Sequence, residues 1–173
     1  MVGAKPCSSP GPPDAKLSTK YGELLQNSTE YISLVGALQY LTWSRPEIAY
    51  YVNQVCQFMH SPTTTHLSAT KRILKYIKGT LGQDILFTKG VTVVSGYTDA
   101  DWGGDPDTIR STSGFCLFFR NNPISWSAKS NQLSLEDLQK LRTNVYQHLK
   151  DLYIFLPSSP QLLCDNRSSV SLA

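Results

Sequence analysis

Cysteine is scarce in these 173 residues and poorly spaced for any covalent or metal framework. Cys7, Cys56, Cys116 and Cys164 lie about fifty residues or more apart with no CxxC pair. That excludes a compact disulfide scaffold and a zinc ribbon, and predicts reduced, unpaired thiols. No apolar run approaches the roughly 18 residues of a membrane span, and the opening Met1-Val2-Gly3-Ala4-Lys5-Pro6 lacks the apolar centre of a signal peptide. The expectation is a soluble intracellular chain, cytoplasmic or nuclear and not secreted, with no membrane partner. The three histidines, His60, His66 and His148, show neither ligand spacing nor a neighbouring nucleophile, so none is assigned a role. Gly103-Gly104 lacks the long glycine spacing, the Lys and the Ser/Thr of a phosphate-cradling loop; a turn explains it. A surplus of one charge is missing too. Sixteen Lys and Arg against 13 Asp and Glu leave +3, too little to imply a polyanionic partner from net charge alone.

What is present describes a globular chain: 40% apolar and 17% charged residues, with 11 Gly and 10 Pro. Charge is segregated, with nine basic and five acidic residues in 1–90 against seven and eight in 91–173, which suggests two functional halves. Residues 1–28 carry Pro6, Pro10, Pro12 and Pro13 with no hydrophobic period, which predicts a flexible Pro/Ser-rich arm that takes no part in a core. From Thr29 the period is helical. Tyr31, Leu34, Leu38 and Leu41 mark a first helix to about Trp43; Ile48, Val52, Val55 and Met59 mark a second from Pro46 to His60. Leu67, Thr70, Leu74, Ile77 and Leu81 mark a third, capped by Thr64 or Thr65 and closing near Gly79 or Gly82.

After Gly82 the pattern turns extended. Strands are expected at 85–87, 91–94, 96–99, 114–119, 123–127 and 161–164, with Arg120-Asn121-Asn122 as a hairpin turn. A helix from about Ser134 carries Leu135, Leu138, Leu141, Val145, Leu149 and Leu152 and ends before Pro157. Residues from Ser168 onward begin a further helix that the chain end cuts off, so a truncated C-terminus is expected. The fold class is therefore α/β (α+β), with a helical segment over 29–82 followed by a sheet domain with flanking helices over 83–173.

Three features could carry chemistry. Asp99, Asp101, Asp105 and Asp107 cluster where a strand ends, and residues two apart share a strand face, so Asp99 and Asp101 could present paired oxygen ligands to Mg²⁺; an Asp-rich turn explains the cluster equally. Asp165 follows the apolar Leu162-Leu163-Cys164, at the kind of strand end where sheet proteins place reacting groups, although with Asn166 it also suits a cap. On the third helix Lys71, Lys75 and Lys78 recur at i, i+4 and i+7 beside Arg72, a stripe on which phosphates could dock or an ordinary solvated face. Tyr40, Trp43, Tyr50 and Tyr51 could stack on bases or fill a core.

Together the stretches are more specific than any one. Leu34-Val35-Gly36-Ala37-Leu38-Gln39-Tyr40-Leu41-Thr42, Arg45-Pro46-Glu47-Ile48-Ala49, Asn53 to Met59 and His66 to Thr80 resemble the segment after the polymerase palm in copia-type retrotransposon polyproteins. Gly96 to Trp102, Ser111 to Phe115, Ile124 to Lys129 and Cys164-Asp165-Asn166 continue the resemblance, in the family's order, through its ribonuclease H domain. The resemblance implies a helical thumb or connection segment followed by a mixed ribonuclease H-like sheet. It also implies cleavage of the RNA strand of an RNA–DNA hybrid with Mg²⁺ held by carboxylates. Asp99 matches the family's first carboxylate and Asp165 a later one.

The family's Ser-Ser-Thr-Glu-Ala-Glu-Tyr motif, whose second Glu is a metal ligand, is replaced here by Ser130-Asn131-Gln132-Leu133-Ser134-Leu135-Glu136-Asp137-Leu138. Glu136 is the candidate substitute, although an acid at a helix start is also favoured by the macrodipole alone. The resemblance thus implies a catalytic and metal set of Asp99, Asp165 and Glu136 that is impaired. It implies a nucleic-acid grip through Lys71, Arg72, Lys75 and Lys78, and no polymerase activity, since the palm aspartates are not in this chain. A non-catalytic nucleic-acid-binding module or a non-functional relic is the alternative.

Overall fold

The computed structural model describes residues 3–11, 16–101, 107, 112–129, 135–151, 153–154, 156 and 161–164. The elements run α1 (Thr29–Leu41), a 3₁₀ turn (Pro46–Ile48), α2 (Ala49–Cys56), α3 (Thr64–Gly79), β1 (Val94–Asp101), β2 (Thr112–Phe119), β3 (Asn122–Lys129), α4 (Leu135–Asp151) and β4 (Gln161–Cys164). The chain falls into two compact units, Met1–Ile85 with Gly103–Arg110, and Leu86–Trp102 with Ser111–Ala173. The class is mixed α/β, as the periodicities predict.

In the first unit, Tyr31, Val35 and Leu38 of α1, Ile48, Val52 and Val55 at α2, and Ile73 of α3 form one buried cluster. The Tyr31 hydroxyl donates to the Val55 carbonyl at 2.6 Å, so this buried polar atom is satisfied, and burial pushes the phenol well above its ordinary pKa. Two details depart from the sequence pattern. The expected Leu67, Leu74 and Ile77 of α3 pack against the cluster only partly buried, while the fully buried positions of that helix are His66, Thr70 and Ile73. Leu81 is 74% exposed because the helix stops at Gly79. The N-terminal segment also joins the core it was expected to avoid: Leu17 and Leu25 pack against the cluster. Residues 23–25 run alongside 62–64, with Leu25 N–H donating to the Pro62 carbonyl and Thr64 N–H to the Glu23 carbonyl. Isolated leucines among prolines carry no period, so pattern alone could not assign them.

In the second unit the sheet order is β3-β2-β1-β4, antiparallel across the first three strands and parallel between β1 and β4. Pro123 lies in β3 at the sheet edge, where a missing N–H is tolerated. The ladder shifts register beside it, from Leu117↔Ser125 to Phe118↔Pro123. Arg120 turns the β2–β3 hairpin with φ 59°, an unusual conformation for a bulky side chain, and its guanidinium lies over the Phe119 ring at 5.2 Å.

The strands expected at 85–87 and 91–93 do not form; only Val94 of that stretch enters β1. Arg120 N–H donates to the Val93 carbonyl at 2.8 Å, and between the two stretches the backbone of Thr88 is held by a side chain. Asn122 Oδ1 accepts from Thr88 N–H at 2.6 Å and Asn122 Nδ2 donates to the Thr88 carbonyl at 2.8 Å. α4 ends with Tyr153 at φ 58°, Tyr153 N–H donating to Lys150 O and Ile154 N–H to Leu149 O, the paired bonds of a Schellman close without its usual glycine.

Candidate functional site

β1 alternates cleanly. Val94, Gly96 and Thr98 are buried while Tyr97 and Asp99 are exposed, so Asp99 stands on the solvent face of a strand flanked on both sides by partners. It pairs in register with Gly114 of β2, and the strand continues through Asp101, opposite Thr112. On the other side, the parallel pairing with β4 runs from Ser95↔Gln161 to Thr98↔Cys164 and stops one residue before Asp99. Asp165 follows Cys164 in sequence and lies outside the described residues. Glu136 is the second residue of α4, and its side chain also lies outside them. Among the described residues no group of three His, Cys, Asp or Glu side chains could hold a metal ion.

The basic residues of α3 have different neighbours. Lys71 approaches Glu30 of α1 at 3.7 Å, an exposed pair of small energetic value. Lys78 donates to the Ala4 carbonyl at 3.0 Å, and the Arg72 carbonyl accepts from the Cys7 thiol at 3.4 Å, so the N-terminal segment lies along this helix. Arg72 and Lys75 line a cavity of about 500 Å³ together with that segment. Of the four aromatics, Tyr40 and Trp43 are the most exposed, at 79% and 82%, and Tyr51 packs against the core cluster.

Sequence reasoning left His66 without a role, yet it organises the start of α3. Thr63 N–H donates to His66 Nδ1 at 3.0 Å, completing a capping box in which histidine stands where Glu or Gln is usual. That bond assigns the ring proton to Nε2, 3.2 Å from the Ser18 carbonyl oxygen. Phe58 stacks on the ring with centroids 3.9 Å apart. Ser18 is held in turn, its hydroxyl donating to Asp107 Oδ1 at 2.7 Å while Thr19 N–H donates to Asp107 Oδ2 at 2.6 Å; these donors hold the Asp107 carboxyl below its usual range. The legible signal was the spacing Thr63-x-x-His66. Arg45 is a second residue passed over: it bonds Glu47 at 2.6 Å and reaches both the hydroxyl and the carbonyl of Thr80, tying the α1–α2 connection to the end of α3.

Burial pushes His66 below the ordinary imidazole pKa, against the opposing pulls of the Ser18 carbonyl and the Asp107 carboxylate. A depressed folded-state value means that the unfolded chain takes up the proton first as pH falls. Stability from this group is therefore complete above about 6.5 and is lost below it, until the folded-state value is passed. The urea midpoint should fall between pH 7.5 and pH 5, and His66→Gln should remove that part of the slope. An identical slope in the variant would reject the assignment. Any contribution from Asp107 disappears only in more acid solution, below the ordinary carboxylate range, so the two do not overlap.

These two units define a mixed α/β chain consistent with a ribonuclease H-like fragment. No protein-family model matches it and no solved structure matches it. It is 40% identical over 178 aligned residues, covering 96% of this chain, to the retrovirus-related Pol polyprotein from transposon RE1 of Arabidopsis thaliana, and 38% identical over the same share to that from transposon RE2. An uncharacterised mitochondrial protein of the same plant is 44% identical across 75% of this chain and 54% of its own length. The chain belongs to the copia-type retrotransposon Pol polyproteins, as a fragment that spans 12% of the length of the RE1 and RE2 proteins.

Proposed function

We propose that this chain is a reverse transcriptase/ribonuclease H fragment, descended from a domain that cleaves RNA in RNA–DNA hybrids, and that its hydrolytic step is impaired while contact with nucleic acid persists. The observation that supports the ancestry is the β1–β4 register: two parallel neighbours whose pairing ends one residue before Asp99 on one strand and at Cys164 on the other. β1 runs on past that point to Asp101, so Asp99 lies beside the end of β4, and carboxylates brought together at a strand end can converge on a divalent cation. Mg²⁺ would be that ion, yet of Asp99, Glu136 and Asp165 only Asp99 is a described side chain, and it stands exposed on its strand. No hydrolytic step is derived through the ion. The loss of the family's Glu-bearing motif, with Glu136 as the nearest replacement, supports impairment; removing one electrostatic element from such a site typically lowers the rate on the order of 100-fold or more.

The test is a labelled RNA–DNA hybrid incubated with purified protein in Mg²⁺ and then Mn²⁺, beside Asp99→Asn. The expected result is cleavage no faster than that of the variant, with hybrid binding that weakens steeply as salt rises because phosphate contacts release counterions. Strong cleavage abolished by Asp99→Asn would overturn the impairment, and absence of hybrid binding at low salt would overturn the retained contact.

A further inference from the structure

The cavity beside α3 has a composition that neither ribonuclease ancestry nor duplex binding explains. Its walls come from the N-terminal segment, α2 and α3, all within the first unit. Lys5, Arg72 and Lys75 line it, and no Asp or Glu is among its described lining residues. Among the described residues Arg72 Nε is buried without a hydrogen-bond partner, a desolvation that its surroundings leave uncompensated. The rest of the wall is mainly apolar, with Pro10, Leu17 and Tyr51 beside the polar Gln54, Thr65 and Ser68. A volume of about 500 Å³ lies in the range of small-molecule sites, which combine an apolar body with a few polar anchors. The backbone of Gly11 lies so close to the Tyr51 ring that a Cβ there would collide with it, so the segment closing the cavity needs glycine at that point.

We propose that this cavity binds a single nucleotide unit, a nucleoside monophosphate or the phosphorylated end of a single strand, with the phosphate on Arg72, Lys75 and Lys5 and the flat base against Tyr51. Arginine suits the anion because its planar fork matches phosphate oxygens, and an ammonium on either side adds charge without demanding geometry. The flat body follows from the wall, since an aromatic face accepts any base by stacking. The inference deepens the nucleic-acid reading above by naming a unit smaller than a duplex, and it does not depend on Asp99 or on cleavage.

The experiment is calorimetric titration of the full chain with adenosine monophosphate, a 5′-phosphorylated dinucleotide and inorganic phosphate, with RNA–DNA hybrid binding measured in parallel. Binding of either organic phosphate at least tenfold tighter than inorganic phosphate, weakened tenfold or more in Arg72→Gln and in Lys75→Gln but unchanged in Lys89→Gln, is expected. Lys89 is exposed, belongs to the second unit and is not part of the cavity wall, and the melting curve of each variant shows whether it remains folded. If adenosine monophosphate fails and the dinucleotide succeeds, the ligand is a strand end, which the proposal includes. Equal affinity for inorganic and organic phosphate, no binding of any of the three by folded protein, or full binding in Arg72→Gln overturns it. Hybrid binding lost while mononucleotide binding persists rejects the duplex contact alone.

Discussion

Replacing His66 by alanine is expected to destabilise the first unit by about 3 kcal/mol, since three contributions disappear together: a cap, a buried hydrogen bond and a ring stack. The Thr63 N–H loses its acceptor and the Ser18 carbonyl its donor, both in a buried setting, and Phe58 loses the ring stacked on it. An uncompensated buried donor is more costly than the average hydrogen bond is worth, which is why truncation should hurt more than a cap alone. His66→Gln should fall between alanine and the unaltered chain, because Gln at the same position of a capping box can still accept from the Thr63 N–H. Urea unfolding followed by helical circular dichroism measures both. A loss below about 1 kcal/mol for alanine would mean that water replaces the ring and that His66 only fills space.

Leu38→Ala carries the second large effect. Leu38 is fully buried between Tyr31 and Val35 of its own helix and the α2 and α3 residues of the cluster, so its removal leaves a cavity as well as losing transfer energy. The expected cost is about 3 kcal/mol, within the range seen for buried leucines. Leu34, on the same predicted stripe but only half-buried, should lose clearly less on the same substitution. Equal losses at the two positions would place the core of α1 where the periodicity alone put it and not where Val35 and Leu38 meet their neighbours.

Those two positions show what kind of information the sequence carries. The 3.6-residue period marks which side of α1 is inward, but Leu34 and Val35 are both apolar and both near that side. Packing against α2 and α3 selects Val35. In α3 the pattern marks Leu67, Leu74 and Ile77, which pack against the core, but not His66, which counts as polar until its two ring nitrogens find Thr63 and Ser18. The segment 85–93 shows the reverse error. Its β-branched and aromatic residues read as strands, yet Asn122 binds the backbone of Thr88 in place of a partner strand. A strand is a pairing, and local composition does not contain the partner.

The candidate site divides in the same way. Asp99 was visible from its place at the end of an extended run and from the motif around it, and Lys71, Arg72, Lys75 and Lys78 from their helical spacing. That Lys71 meets Glu30, Lys78 meets Ala4, and Arg72 and Lys75 turn toward a cavity could not be read from spacing, because each partner lies elsewhere in the chain.

By itself the sequence determined the mixed α/β class, the existence and approximate span of the helices and of most strands, and membership of a retroelement polyprotein family. Those properties rest on local periodicity and on strings of adjacent residues. Only the tertiary structure decided the parallel pairing of β1 with β4, the role of His66 and the separate fates of the four basic residues on α3. Each of these depends on contacts between segments distant in the chain, which local periodicity does not contain.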